Sequence, residues 1–80
     1  MNITVYGPEG CNNCTQLKQT TEEVVERNNL DAEVTKESDM TKLAQKGVMS
    51  TPGFEIGDEM VLTGTTPSAD KLEEILTDRV

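Results

Sequence analysis

Two cysteines, Cys11 and Cys14, stand where a strand-like run gives way to a helix-like one. Ile3-Thr4-Val5-Tyr6 alternates and is rich in β-branched side chains, which reads as a strand. Gly7-Pro8-Glu9-Gly10 reads as a loop, and helical spacing begins near Thr15. This joint limits what the chain can fold into. A helix start points free N–H groups and the positive end of its dipole at the first sulfur. The second sulfur, one turn on, lies within reach to close a disulfide. A Cys-x-x-Cys pair at such a junction is the arrangement that thiol–disulfide exchange needs.

The rest of the chain continues the alternation of strand and helix. From about Cys14 to Asn28 the apolar positions are Cys14, Leu17, Val24 and Val25, with Thr21 between them. Glu22, Glu23, Glu26 and Arg27 fall on the wet side, and Asn28-Asn29 is the expected stop. Ala32-Glu33-Val34-Thr35 reads as a short strand. Ser38 or Asp39 caps a helix carrying Met40, Leu43 and Ala44, which Gly47 ends. Gly53-Phe54-Glu55-Ile56 and Met60-Val61-Leu62 read as a hairpin turning at Gly57-Asp58-Glu59. Thr66 or Ser68 caps the last helix, Pro67 suits its first turn, and Leu72, Ile75 and Leu76 make its buried stripe. The expected order is β-α-β-α-β-β-α in one domain spanning 1–80. That is an α/β architecture: a mixed four-stranded sheet with three helices. Its first two strands run parallel and its last two antiparallel.

Composition narrows the function. Eighty residues lie near the lower limit for an unaided core, and with one Tyr, one Phe and no Trp that core must be aliphatic. A formal charge of −8 disfavours nucleic acid and anionic membrane surfaces, and solubility is its plain explanation. The longest apolar run is far too short to cross a bilayer. The chain opens on a strand pattern with no basic start and no apolar h-region, so a cytoplasmic location is expected. In that compartment a Cys pair is more often catalytic or metal-binding than structural. The absence of histidine removes Cys–His nucleophile pairs, histidine bases and Cys2His2 metal sites.

The cysteines divide naturally into two roles. Exchange requires a thiolate, and an ordinary thiol ionises only near a pKa of about 8.5 unless a helix start or a cation favours the anion. Cys11, at the helix start, is the expected attacking sulfur. Cys14, facing inward with Leu17, is the expected resolving sulfur. Asn12 and Asn13 add no charge, while Glu9 opposes the dipole if its side chain turns inward. Two other readings stand beside this one. A purely structural bridge closing so short a loop adds little chain-entropy stabilisation. Structural zinc wants four ligands, and the motif supplies two, so carboxylates or a second chain would have to complete a metal site.

Ser50-Thr51-Pro52 precedes the third strand. On its own this is an ordinary turn proline, for which a cis bond is a minority event. In the expected fold the loop lies beside the first helix's N-terminus. There a cis Thr51–Pro52 bond exposes the Thr51 backbone next to Cys11, for a substrate segment to pair with as an added strand. Together these features resemble the small thioredoxin/glutaredoxin-like proteins of prokaryotes called redox-active disulfide proteins. The likeness runs through the opening strand, Gly10-Cys11-x-x-Cys14, the 47–52 segment and Gly64 through Pro67. The resemblance implies a thioredoxin-like fold, a Cys11/Cys14 pair cycling between dithiol and disulfide, and a cis Pro52.

The motif also departs from its better-known relatives. Thioredoxins proper have Trp where Gly10 stands, Gly-Pro where Asn12-Asn13 stand, and a buried acid where Val5 stands. Glutaredoxins often carry a lysine at the position of Pro8 and an acidic pair where Thr65-Thr66 stand. The reading is a dithiol–disulfide oxidoreductase that reduces protein disulfides. Cys11 and Cys14 are its catalytic residues, and Thr51 and Pro52 contact the substrate. No bound cofactor or metal is expected. A thioredoxin-type reductase rather than glutathione recharges it, and the protein is expected to act as a monomer. The rivals are a thiolate metal-binding or metal-transfer protein and a redox-inactive binding module of the same fold.

Overall fold

The computed structural model describes residues 1–79. Strand β1 (Asn2–Tyr6) leads into helix α1 (Asn12–Arg27), strand β2 (Glu33–Glu37) and helix α2 (Met40–Gln45). Strands β3 (Gly53–Ile56) and β4 (Glu59–Thr63) and helix α3 (Ala69–Thr77) complete the expected order. The sheet runs β2-β1-β3-β4. β1 is parallel to β2 and antiparallel to β3, with Tyr6 opposite Gly53, and β3 is antiparallel to β4.

One face of the sheet carries the core. Ile3, Val5, Phe54 and Ile56 project from β1 and β3. They meet Cys14, Leu17 and Val24 of α1 and Leu72 and Leu76 of α3. The α1 stripe holds because Cys14, Leu17, Thr21 and Val24 recur every three or four residues on one side of a 3.6-residue helix. Thr21 is buried within that stripe, and its hydroxyl donates to the Leu17 carbonyl at 2.7 Å. Each fully buried Leu, Ile, Val or Phe here contributes about 1.5–3 kcal/mol from area removed from water.

The other face is only partly covered by α2 and is more polar, with Thr4 half-buried and Thr35 exposed on it. Asp39 caps this helix through its carboxylate to the Thr41 N–H at 2.9 Å. With only six residues, α2 buries Leu43, at 2% exposure, and little else. Met40 is 62% exposed and Ala44 is also exposed, against the expectation that both face inward. Met49 is 95% exposed beyond the end of α2.

The element ends follow local chemistry. β2 starts one residue later than expected and runs on to Glu37, because β1 supplies a partner for each position from Asn2 to Tyr6. Gly57-Asp58 makes a two-residue hairpin turn, and β4 takes in Glu59. Ser68, not Thr66, caps α3, accepting from the Lys71 N–H at 3.3 Å. Pro67 therefore stands before the cap rather than inside the first turn. Ile75 is half-buried, so Leu72 and Leu76 alone form the buried line of α3.

Candidate active site

The loop between β1 and α1 is held at both ends. The Gly7 N–H continues the parallel ladder to the Glu37 carbonyl at 2.9 Å. The Cys11 N–H reaches the Pro8 carbonyl at 3.3 Å, and the Lys36 ammonium donates to the same carbonyl at 3.5 Å. Cys11 emerges as the N-cap of α1. Its backbone is extended, and its sulfur accepts the Cys14 N–H at 3.2 Å. An N-cap acceptor satisfies one of the four amide donors that a helix start leaves unpaired. No acidic side chain occupies the first turn to offset the dipole there.

Cys11 and Cys14 are joined as a disulfide, with Cα atoms 5.3 Å apart. They are not equivalent. Cys11 is half-buried at the surface, whereas Cys14 is wholly buried between Val5, Leu17 and their neighbours. The pair rests on the backbone of Gly7. A methyl group built there would overlap the Cys14 sulfur, lie 2.7 Å from the Cys14 Cβ and 3.8 Å from the Cys11 sulfur. Nothing in the local pattern of Gly7-Pro8-Glu9-Gly10 distinguishes that glycine, since its constraint comes from a helix seven residues on.

The segment before β3 lies across from this loop. Continuing the β1–β3 register one step past Tyr6 and Gly53 sets Gly7 against Pro52. The Thr51–Pro52 peptide bond is cis. Pro52 is buried, its carbonyl accepts the Gly64 N–H at 2.9 Å, and Thr51 is exposed. Among the described residues no backbone hydrogen bond engages Thr51. The fold thus brings Cys11, Cys14, Thr51 and Pro52 to one end of the sheet.

Val5 fills the position of the buried acid and is fully buried itself. Among the described residues the buried polar side chains are Thr21 and Glu55, and Glu55 lies on the α2 face, away from Cys14. Among the described residues no cluster of three or more His, Cys, Asp or Glu side chains is placed to hold a metal ion. No helix of the described residues is long and apolar enough to cross a membrane.

Comparison with known proteins agrees with this geometry. The family model described as "Thioredoxin domain" matches residues 1–77. A protein named thioredoxin from Methanocaldococcus jannaschii is 34% identical over 74 residues, covering 92% of this chain and 84% of the relative. Among solved structures, a point mutant of thioredoxin from Halobacterium salinarum superposes with a TM-score of 0.71 at 19% identity, over 96% of this chain and 72% of that one. The germline-specific thioredoxin Deadhead from Drosophila melanogaster gives 0.67 at 15% identity, over 99% and 80%. A malarial protein gives 0.73 at 12% identity, over 99% and 96%. Sequence and fold lead to one conclusion: this chain belongs to the thioredoxin family and is a thiol–disulfide oxidoreductase that works through a Cys-x-x-Cys dithiol.

Proposed function

We propose that Cys11 is the attacking sulfur and Cys14 the resolving one. The Cys11 thiolate attacks one sulfur of a substrate disulfide. A mixed disulfide forms and one substrate thiolate leaves. The Cys14 thiolate then attacks the Cys11 sulfur, closes the internal disulfide and expels the second substrate thiolate. The substrate gains two electrons, and the dithiol loses two. The observation that carries this assignment is the helix cap. The Cys14 N–H donates to the Cys11 sulfur, and the positive end of a 16-residue helix stands behind it. Both favour charge on the sulfur that solvent can reach. Cys14 is buried, so an incoming disulfide meets Cys11 first.

Thr51 and Pro52 form the substrate edge in this reading. The unengaged Thr51 backbone offers a donor and an acceptor to an extended segment. A client chain laid there as an added strand carries its disulfide toward Cys11. With Val5 in place of an acid, the Cys14 proton leaves through water. The expected clients are protein disulfides in the cytoplasm, and the protein acts as a monomer. Pro8 and Thr65-Thr66 stand where glutaredoxins place charged groups, so a thioredoxin-type reductase, not glutathione, returns the two electrons.

A coupled insulin-reduction assay tests the substrate class and the reductant, driven once by a thioredoxin-type reductase with NADPH and once by glutathione. Turnover with the reductase and little with glutathione is expected. Rapid turnover with glutathione overturns the choice of reductant, and failure with both overturns the substrate class.

A further inference from the structure

We infer that Lys46, Glu55 and Tyr6 form a clasp that holds the Thr51 edge in position for protein substrates. The inference rests on the assignment of that edge to docking. Glu55 points to the face opposite the cysteines, is 5% exposed, and takes no part in the exchange chemistry. Both its oxygens are engaged. The Tyr6 hydroxyl donates to Oε1 at 2.7 Å, and the Lys46 ammonium stands 3.2 Å from Oε2. Tyr6 is itself 5% exposed.

The three residues sit at informative places in the chain. Lys46 is the C-cap of α2 and the last residue before the 47–52 segment. Glu55 lies in β3, just beyond that segment's far end. Tyr6 ends β1 and precedes Gly7, the residue on which the disulfide rests. The clasp therefore ties the two ends of the docking segment together and joins them to the strand that carries the cysteine loop. A second pinch supports it. Val48 packs on Gly53, so close that a methyl there would sit 3.2 Å from both Val48 Cγ atoms and 3.3 Å from the Tyr6 Cβ. Only Met49, Ser50 and Thr51 project beyond this base, all exposed.

An exposed ion pair is worth little, but this carboxylate is out of water. Removing Lys46 leaves a buried charge without its counterion, and the relief open to it is to admit water by parting the base of the loop. The sulfurs lie on the other face and do not move with it. Loss of the clasp must then weaken protein docking and spare reaction with a small disulfide that needs no docking edge. Lys46 is thus a positioning residue.

The test compares insulin with 5,5′-dithiobis(2-nitrobenzoic acid) as substrates for wild type, Lys46→Met, Lys46→Arg, Tyr6→Phe and Thr51→Pro. For Lys46→Met the KM for insulin rises about tenfold, as expected when a displaced edge loses docking hydrogen bonds equally from the bound substrate and the transition state. Its kcat is little changed, and its rate with the small disulfide is that of wild type. Lys46→Arg retains the wild-type KM, and Tyr6→Phe shifts it in the same direction as Lys46→Met. An unchanged insulin KM in both Lys46→Met and Tyr6→Phe overturns the clasp. So does a parallel fall with both substrates, since that is general loss of structure. Thr51→Pro deletes the docking N–H and separates the two claims. If it raises the insulin KM while the clasp variants do not, only the clasp fails. If it leaves the KM unchanged, the docking edge itself is wrong.

Discussion

Replacing Gly7 with alanine tests whether the cysteine pair is seated on bare backbone. The added methyl would overlap the Cys14 sulfur and come within 2.7 Å of the Cys14 Cβ. Carbon atoms in ordinary contact stand about 3.5–4.0 Å apart, so the two carbons must part by roughly 1 Å and the methyl and the sulfur by more. Cys14 is wholly buried in the first turn of a packed helix, so neither side yields freely. Gly7 is not among the positive-φ residues, so alanine meets no backbone strain and the cost is steric. Overpacking of this kind costs about 1–3 kcal/mol, against which the stiffer unfolded chain returns about 0.4–1 kcal/mol. The net loss is about 1–2 kcal/mol, or a fall in Tm of roughly 5–15 °C for a domain this size. Urea and thermal melts followed at 222 nm measure it in the oxidised and reduced forms. Equilibration with dithiothreitol reads the effect on the cysteines. Gly57→Ala is the contrast: φ is +62° with open space around it, so it costs backbone strain and leaves the cysteine equilibrium alone. A Gly7→Ala protein as stable as wild type, with an unchanged dithiothreitol equilibrium, would refute the argument.

Two further outcomes are expected. Burial, then the hydrogen bond to Glu55 and the charges of Glu55 and Glu37, push the Tyr6 phenol up to about 12. The chain has one tyrosine and no tryptophan, so absorbance at 295 nm reports it alone. A midpoint near the ordinary value of about 10 contradicts the buried pairing. The native state holds that proton more tightly than the unfolded chain. Stability from this group is therefore full below about pH 10 and is lost as pH rises toward 12, a loss that Tyr6→Phe removes. In the core, Leu72→Ala deletes a fully buried side chain where α3 meets α1 and the sheet, and costs about 2–5 kcal/mol in a urea melt. A loss under about 1 kcal/mol would mean that α3 is not docked on the sheet as described.

Much of this molecule is legible in its residues. The α1 stripe, the hairpin at Gly57 and the Cys-x-x-Cys position each follow from a local rule: helical spacing, turn chemistry, or a helix start beside a strand. What escapes is whatever depends on how far an element reaches. Met40 and Met49 are apolar, yet Met40, at the first position of α2, and Met49, beyond its end, are both left in solvent. Glu55 alternates with Phe54 and Ile56 and so reads as outward-facing. It does face away from the core, but into the cover of α2 and Lys46 rather than into water. Gly7 looks like one more loop glycine, and only the seating of Cys14 on it shows why a side chain is excluded. These residues answer to tertiary contacts that no short window of sequence contains.

The division of labour between the two sulfurs is most directly tested by trapping. Cys14→Ser and Cys11→Ser proteins are each reduced, mixed with a client carrying a single disulfide, quenched in acid and mapped by peptide mass. Cys14→Ser should accumulate a mixed disulfide through Cys11, and Cys11→Ser should give almost none. Equal trapping through Cys14, or none through Cys11, would contradict the assignment.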